Sequence, residues 1–174
     1  MVKLICTTHA EKNGSATAYS LLAKTYGSLY GSPMPEISKT PNGKPFFPDR
    51  PDIHFSLSHS ATHVLCAVSS SPVGADIETP RHISERTLRY FYSPEEAELF
   101  APLDLWVLKE SYIKLIGGTL AMVKTLRFSR CNDIIITPDR FSVSMLYNID
   151  GCHAAVSSSG DSLPTSIELL SPLS

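Results

Sequence analysis

Asp76, Glu78 and Glu110 are the side chains of this sequence whose types and spacing could do chemistry together. The first two lie in Val73-Gly74-Ala75-Asp76-Ile77-Glu78, and residues two apart on a strand share a face. Their charges then repel unless water or a cation bridges them. Taken alone, a solvated strand edge is the plainer account of the pair. Gly74 allows a ligand or another backbone to come close. Glu110 lies in Trp106-Val107-Leu108-Lys109-Glu110-Ser111-Tyr112-Ile113-Lys114. At about 100° per residue, Leu105, Leu108, Tyr112, Leu115 and Ile116 form one apolar stripe. Glu110 and Lys114 fall roughly opposite, one turn apart, with Trp106 and Ile113 as a second apolar flank beside Glu110. An ordinary i,i+4 ion pair, contributing about 0.2–0.5 kcal/mol, would also account for Glu110 and Lys114.

Three carboxylates on a strand and a helix can make an all-oxygen cation site. Mg²⁺ prefers such hard ligands and commonly shares its octahedron with substrate phosphates. Ca²⁺ fits less well, because no dedicated loop of oxygen ligands is present. A lysine beside such a site neutralises charge developing on a leaving phosphate, and Lys114 is the best placed. Ser58-His59-Ser60 follows a strand, which suits phosphate contact, although a lone histidine is more often structural; His54 reads as structural. Asn42-Gly43-Lys44-Pro45-Phe46 sets a cation beside a tight turn, but the phosphate-loop spacing GxxxxGK[ST] is absent.

The elements that must position these groups follow from punctuation and periodicity. Residues 2–7 read as a strand and 15–30 as a helix ended by Gly27 or Gly31. Residues 31–52 carry six prolines and form turns. Strands are expected over 54–58, 64–68 and 73–78, and a helix over 84–92. Ser93-Pro94-Glu95-Glu96 is a helix start, with serine as N-cap and acids at the positive end of the dipole. Asp104 is the expected cap of a helix over 105–116, stopped by Gly117-Gly118. Strands follow over 126–130, 133–137, 141–147, 152–158 and 165–170. One internal echo stands out: Cys66-Ala67-Val68-Ser69-Ser70-Ser71 matches Ala154-Ala155-Val156-Ser157-Ser158-Ser159 in pattern. If it marks a duplication, the chain is two α+β lobes, and the cleft between them is the natural place for a ligand.

The whole chain limits the function class. Its 174 residues fit one compact domain or two small lobes, and 43% hydrophobic residues supply a core. The net charge of −2 lacks the basic excess of a generic nucleic-acid binder. Four cysteines, Cys6, Cys66, Cys131 and Cys152, form neither a CxxC pair nor a zinc spacing, and read as mostly buried thiols of a reduced compartment. The apolar run at Met1–Cys6 is too short for a signal peptide, and no segment approaches the roughly 18 apolar residues that span a bilayer. A cytoplasmic monomer without membrane or nucleic-acid partners is expected.

In order and spacing these pieces resemble the Sfp-type 4'-phosphopantetheinyl transferases. The shared motifs are Gly43-Lys44-Pro45, Phe55-Ser56-Leu57-Ser58-His59-Ser60, Gly74-Ala75-Asp76-Ile77-Glu78, the segment 91–96, and Trp106–Lys114, covering about residues 42–118. The resemblance implies an α+β fold of two similar lobes related by a pseudo-twofold, here residues 1–72 and 73–174, with coenzyme A in the cleft. It implies transfer of 4'-phosphopantetheine from coenzyme A to a serine of an acyl or peptidyl carrier protein, with release of adenosine 3',5'-bisphosphate.

Carried over by residue, the resemblance makes Asp76, Glu78 and Glu110 the Mg²⁺ ligands and Lys114 the phosphate-contacting lysine. Glu110, or a water ordered by the metal, is the general base. His59 matches a histidine on the 3'-phosphate of coenzyme A, and Lys44 a lysine near the nucleotide. Either Glu95 or Glu96 is the acid of the 91–96 segment. The chain departs from the family in a shorter N-terminal lobe, with Lys12-Asn13-Gly14-Ser15 where a basic cluster is usual, in Val107 where Ser or Thr is common, and in Ala75 where a larger aliphatic residue is usual. The thinned cluster motivates a second reading, a relative that binds coenzyme A or carrier without transfer. Lys109, Lys114, Lys124, Arg127 and Arg130 make 109–130 locally basic, a surface that would steer an acidic carrier. Fatty-acid, polyketide and nonribosomal-peptide carriers fit this reading equally.

Overall fold

The computed structural model describes residues 1–8, 13–160 and 162–172. The chain runs β1 (Val2–Thr8), α1 (Gly14–Tyr30), the short β2 (Ser38–Lys39) and β3 (Pro45–Phe46), then β4 (His54–His59), β5 (His63–Ser69) and β6 (Val73–Glu78). Three helices follow, α2 (Glu85–Phe91), α3 (Pro94–Ala97) and α4 (Pro102–Ile116), and a 3₁₀ turn at Leu120–Lys124. The chain ends in β7 (Ser129–Cys131), β8 (Ile134–Ile136), β9 (Val143–Ile149), β10 (Cys152–Ser158) and β11 (Glu168–Leu170). The architecture is mixed α+β, as the resemblance implied. Lys12, in the segment that stands where the family usually has a basic cluster, lies outside the described residues.

Two sheets, each built on an antiparallel hairpin, form the frame. The first has the order β11-β1-β5-β4 and the second β6-β10-β9. Their alternating side chains sort into three cores. On one face of the first sheet, Ile5, Val64, Cys66 and Val68 bury Leu21, Leu22 and Tyr26 of α1. Between the sheets lie Val2, Leu4, Leu65 and Ala67 from the first and Val73, Ala75, Ile77 and Val156 from the second. α4 covers the far side with Leu105, Leu108, Tyr112 and Leu115, joined by Phe91, Phe100 and Phe128. Runs such as Val64–Val68 read as continuous apolar sequence because both faces of β5 are covered.

The expected elements are nearly all present, and the differences have local causes. α4 starts at Pro102, not at a cap on Asp104. Ala101 is extended, proline at the first position needs no amide partner, and Asp104 sits in the first turn, where the dipole favours it. Ser93 and Glu96 form a reciprocal capping box. The strand expected at 165–170 shortens to β11, which pairs parallel with β1 through Ile5, Cys6 and Thr7. The C-terminal strand thus crosses the expected boundary at residue 72 and completes the first sheet. Three cysteines are buried, whereas Cys131 is exposed on β7. Among the described residues no helix is long and apolar enough to cross a membrane.

Candidate functional site

The site is built where α4 lies on β6, and Gly74 makes that approach possible. A Cβ on Gly74 would stand 2.0 Å from the Ser111 carbonyl oxygen and 2.3 Å from the Leu115 amide nitrogen. Any side chain would lift the helix off the strand. With the backbone that close, the strand's outward carboxylates meet the helix's polar edge. Lys114 Nζ donates to Asp76 Oδ1 at 2.7 Å and to the Ala75 carbonyl at 3.2 Å.

Two serines of Phe55–Ser60, Ser56 and Ser58, join the two sheets. β4 and β6 are edge strands of the two sheets, and an edge leaves amides unpaired. Ser56 Oγ accepts from the Ala75 amide at 2.9 Å, and Ser58 Oγ accepts from the Ile77 amide at 3.3 Å. Ser58 Oγ also donates to Asp76 Oδ1 at 2.8 Å and receives Lys114 Nζ at 3.1 Å. Two alternating hydroxyls therefore stitch the sheets together and orient the first carboxylate. The sequence carried this signal as the period-2 serines, but only the edge-to-edge meeting of β4 and β6 gives them their partners.

Charge crowds at this point. Burial first, and then the neighbouring Asp76 and Glu78 carboxylates, push the Glu110 carboxyl up to about 6, against the opposing pull of Lys114. Glu78 receives Arg81, at 3.3 Å to each oxygen. Asp76 Oδ2 is buried and has no hydrogen-bond partner among the described residues. Among the described residues no three acidic, histidine or cysteine side chains form a ready metal cage; Lys114 holds Asp76 and Arg81 holds Glu78.

A cavity of about 210 Å³ opens beside the C-terminal end of α4, between Asn42–Pro45, β4 and Ile113–Gly118. Lys44 and Lys114 both line it. Lys44 Nζ donates to the Leu115 carbonyl at 2.8 Å and the Val73 carbonyl at 3.4 Å, and Asn42 Nδ2 donates to the Gly117 carbonyl at 2.9 Å. The Gly43 loop thus satisfies carbonyls that the end of α4 leaves open. Burial pulls the Lys44 ammonium down to about 8. His59 stands exposed at the end of β4 and is not among the lining residues of this cavity.

Other expected residues lie away from the site. Lys109, read as part of a basic surface, is fully buried: its Nζ donates to Glu96 Oε2 at 2.9 Å and to the carbonyls of Phe91 and Val123. Glu96 also caps Ser93 and accepts the Phe128 amide at 3.0 Å, so this acid joins α3, α4 and the 126–128 turn. The helix leaves Lys109 and Glu110 on different sides, the first in the core and the second on the site. Lys124 lies over the Tyr90 ring and Arg130 over that of Phe100. One unforeseen pair is His153 Nδ1 with Asp104 Oδ1 at 2.6 Å. His153 is the cross-strand partner of Glu78.

The same stretch is where known proteins match. The family model described as the 4'-phosphopantetheinyl transferase superfamily matches residues 72–167, which include Asp76, Glu78, Glu110 and Lys114. The 4'-phosphopantetheinyl transferase Sfp of Bacillus subtilis is 42% identical over 90 residues, 46% of this chain and 40% of that protein. The 4'-phosphopantetheinyl transferase gsp of Aneurinibacillus migulanus is 39% identical over 89 residues, 45% of this chain and 37% of that protein. The match thus spans less than half the length of these relatives. With more than half of its own length inside the family's stretch, and with α4 set on β6 there, the chain belongs to the 4'-phosphopantetheinyl transferase superfamily and is of the Sfp type.

Proposed function

We propose that this chain transfers the 4'-phosphopantetheine group of coenzyme A to a serine of an acyl or peptidyl carrier protein, in a Mg²⁺-dependent reaction that releases adenosine 3',5'-bisphosphate. The observation that carries the reading is the docking of α4 on β6 through Gly74, which sets Lys114 on Asp76 beside Glu110 within the matched stretch.

The donor set fits a hard cation. Asp76 keeps one buried oxygen without a partner among the described residues, and Glu110 is raised by burial and then by two like charges. Mg²⁺ sites of this kind use one or two carboxylates with substrate phosphates, so a preformed cage is not required. Asp76, Glu78 and Glu110 would hold it, and when bound it supplies charge neutralisation on the pyrophosphate.

The chain's own groups divide the remaining work. Lys44 and the Gly43 loop border the cavity that receives the nucleotide end, and His59, exposed at the end of β4, contacts the 3'-phosphate. Glu110, its carboxyl raised to about 6, or a water that the metal would order, takes the proton of the carrier serine as its Oγ attacks the β-phosphorus. The new Oγ–P bond forms as the bridging P–O bond breaks, and the electron pair leaves with adenosine 3',5'-bisphosphate. The Lys114 ammonium turns from Asp76 towards the phosphates and offsets the charge that the leaving group gains.

The reading includes two lobes related by a pseudo-twofold. Each sheet is built from a strand, a covering helix and a hairpin whose second strand is central: β1, α1, β4, β5 and β6, α4, β9, β10. The sequence echo falls on the two central strands, which supports duplication.

The test is apo carrier protein with coenzyme A and Mg²⁺, followed by intact mass. A phosphopantetheine increment on at least one of a fatty-acid, a polyketide and a nonribosomal-peptide carrier is expected. No increment on any of them, from a protein that binds coenzyme A, would favour binding without transfer.

A further inference from the structure

Two cationic side chains stand on the carboxylates of β6, and they come from different parts of the chain. Lys114 of α4 holds Asp76, and Arg81, three residues past the end of the strand, folds back on Glu78. The first has a place in the proposed reaction. The second has none so far.

The Arg81 contact is a fork on a fork. Its Nε donates to Glu78 Oε2 and its Nη2 to Glu78 Oε1, each at 3.3 Å. One guanidinium therefore engages both carboxylate oxygens, a geometry that arginine has and lysine lacks. Its central carbon also lies 6.0 Å from the centre of the Trp106 ring, within the reach of a cation–π contact. Trp106 belongs to α4, so the guanidinium bridges the end of the strand and the helix. The Glu78 side chain is 25% exposed and that of Arg81 45%. A hard cation can thus reach this carboxylate from solvent, but only at an oxygen that Arg81 already holds. The Trp106 ring gives the guanidinium a second station once it lets go.

We infer that Arg81 is a positioning residue, a built-in counterion that occupies Glu78 and has to be displaced before a divalent cation takes that carboxylate. The inference rests on the transferase reading, in which Glu78 is a cation ligand. Asp76 and Glu78 share one face of β6 and repel each other. Lys114 and Arg81 offset that repulsion in the metal-free protein. A bare divalent cation has to displace both side chains and leave their charges beside its own, so it binds weakly. Phosphates that arrive with the cation, as is common for Mg²⁺, restore the negative charge that the displaced side chains lose.

The test is the binding of Mn²⁺ to the protein without coenzyme A. Mn²⁺ takes the same oxygen ligands, and its free form is counted by electron paramagnetic resonance. Arg81→Gln is expected to tighten Mn²⁺ roughly two- to fivefold, the range that a partly exposed ion pair supports. Arg81→Lys keeps the charge but not the fork, and its affinity should fall between the two. Arg89→Gln removes the same charge from α2, where Arg89 pairs with Glu85, and should bind Mn²⁺ as the natural protein does. The gain from Arg81→Gln should vanish in a Glu78→Gln background, because it acts through that carboxylate. Mn²⁺ affinity unchanged or weakened in Arg81→Gln overturns the inference. So does a gain that Arg89→Gln reproduces, or one that persists in the Glu78→Gln background. Failure of both the natural protein and Arg81→Gln to bind Mn²⁺ overturns it too. Tighter Mn²⁺ binding by Arg81→Gln, in a protein that modifies no carrier, sinks the transferase reading alone. Carrier modification with an Mn²⁺ affinity indifferent to Arg81→Gln sinks this inference alone.

Discussion

Lys114 of α4 donates to Asp76 of β6 at 2.7 Å, and Ser58 of β4 holds the same carboxylate oxygen at 2.8 Å. One strand from each sheet and a helix thus meet at one atom. The ammonium stands where a cation and phosphates would share the site, so substrate loading exchanges one set of charge partners for another. Lys114→Ala is expected to keep the fold and lower kcat/KM by roughly 10²–10³, the usual effect of removing one preorganised charge. Asp76→Ala should lose activity while remaining folded. Initial rates of carrier modification, with circular dichroism as the folding check, decide both, and full activity in either variant would remove that residue from the site.

Gly74→Ala tests the approach of helix and strand. The added methyl would meet the Ser111 carbonyl and the Leu115 amide, both backbone atoms that can yield only if α4 shifts as a whole. Overpacking of this kind costs about 1–3 kcal/mol. The urea midpoint should fall accordingly, and activity should fall further than stability does, because Glu110 and Lys114 move with the helix.

On the proposed reading, Glu110 would make cation binding pH-dependent. Its carboxyl is raised from 4.5 to about 6, chiefly by burial and then by Asp76 and Glu78. A group raised in the folded state stabilises fully below its ordinary value and loses that contribution as pH rises through the folded value. The metal-free protein should therefore lose some stability as pH climbs through about 6. Protonated Glu110 competes with the cation, so Mg²⁺ affinity should climb over the same interval with proton release. Calorimetry in two buffers of different ionisation enthalpy reads the released proton, and Glu110→Gln should abolish it.

Lys44 gives the opposite signature at higher pH. Burial lowers its ammonium from 10.5 to about 8, so the ligand-free protein sheds this charge early. An anionic donor near Lys44 favours the charged form. Coenzyme A affinity should be flat below about pH 8 and decline above it as the site must take up a proton to bind. Lys44→Arg keeps its charge throughout and should flatten the profile. A pH-independent affinity in the natural protein would place Lys44 outside the binding site.

The buried Lys109–Glu96 pair predicts a coupled loss. Lys109→Met leaves Glu96 charged in the core and should cost about 3–5 kcal/mol. Combining it with Glu96→Gln removes the stranded charge while keeping a side chain that can hydrogen-bond, so the double variant should be more stable than Lys109→Met alone. Urea unfolding of the four proteins of the cycle gives the coupling.

Sequence alone determined the element types, since apolar periodicity and punctuation by Ser93-Pro94, Gly31 and Gly117-Gly118 are local physics. Spacings of two on a strand and four on a helix put Asp76 with Glu78 and Glu110 with Lys114 on shared faces, but only the order of motifs shared with the family raised them above a solvated strand edge and a routine ion pair. Tertiary structure decided what those faces meet. Ser56 and Ser58 are ordinary strand serines until the edge of β4 comes beside the edge of β6 and leaves amides to satisfy. Lys109 and Lys114 are equally basic in sequence, yet one is sealed against Glu96 and the other opens on the site, because α4 is packed on two sides. His153 found Asp104 only when β10 was laid beside β6 under α4. Such partners lie tens of residues apart, and no local period encodes them. They are set by the burial of apolar faces, which chooses the arrangement of the sheets and brings the polar groups into contact as its consequence.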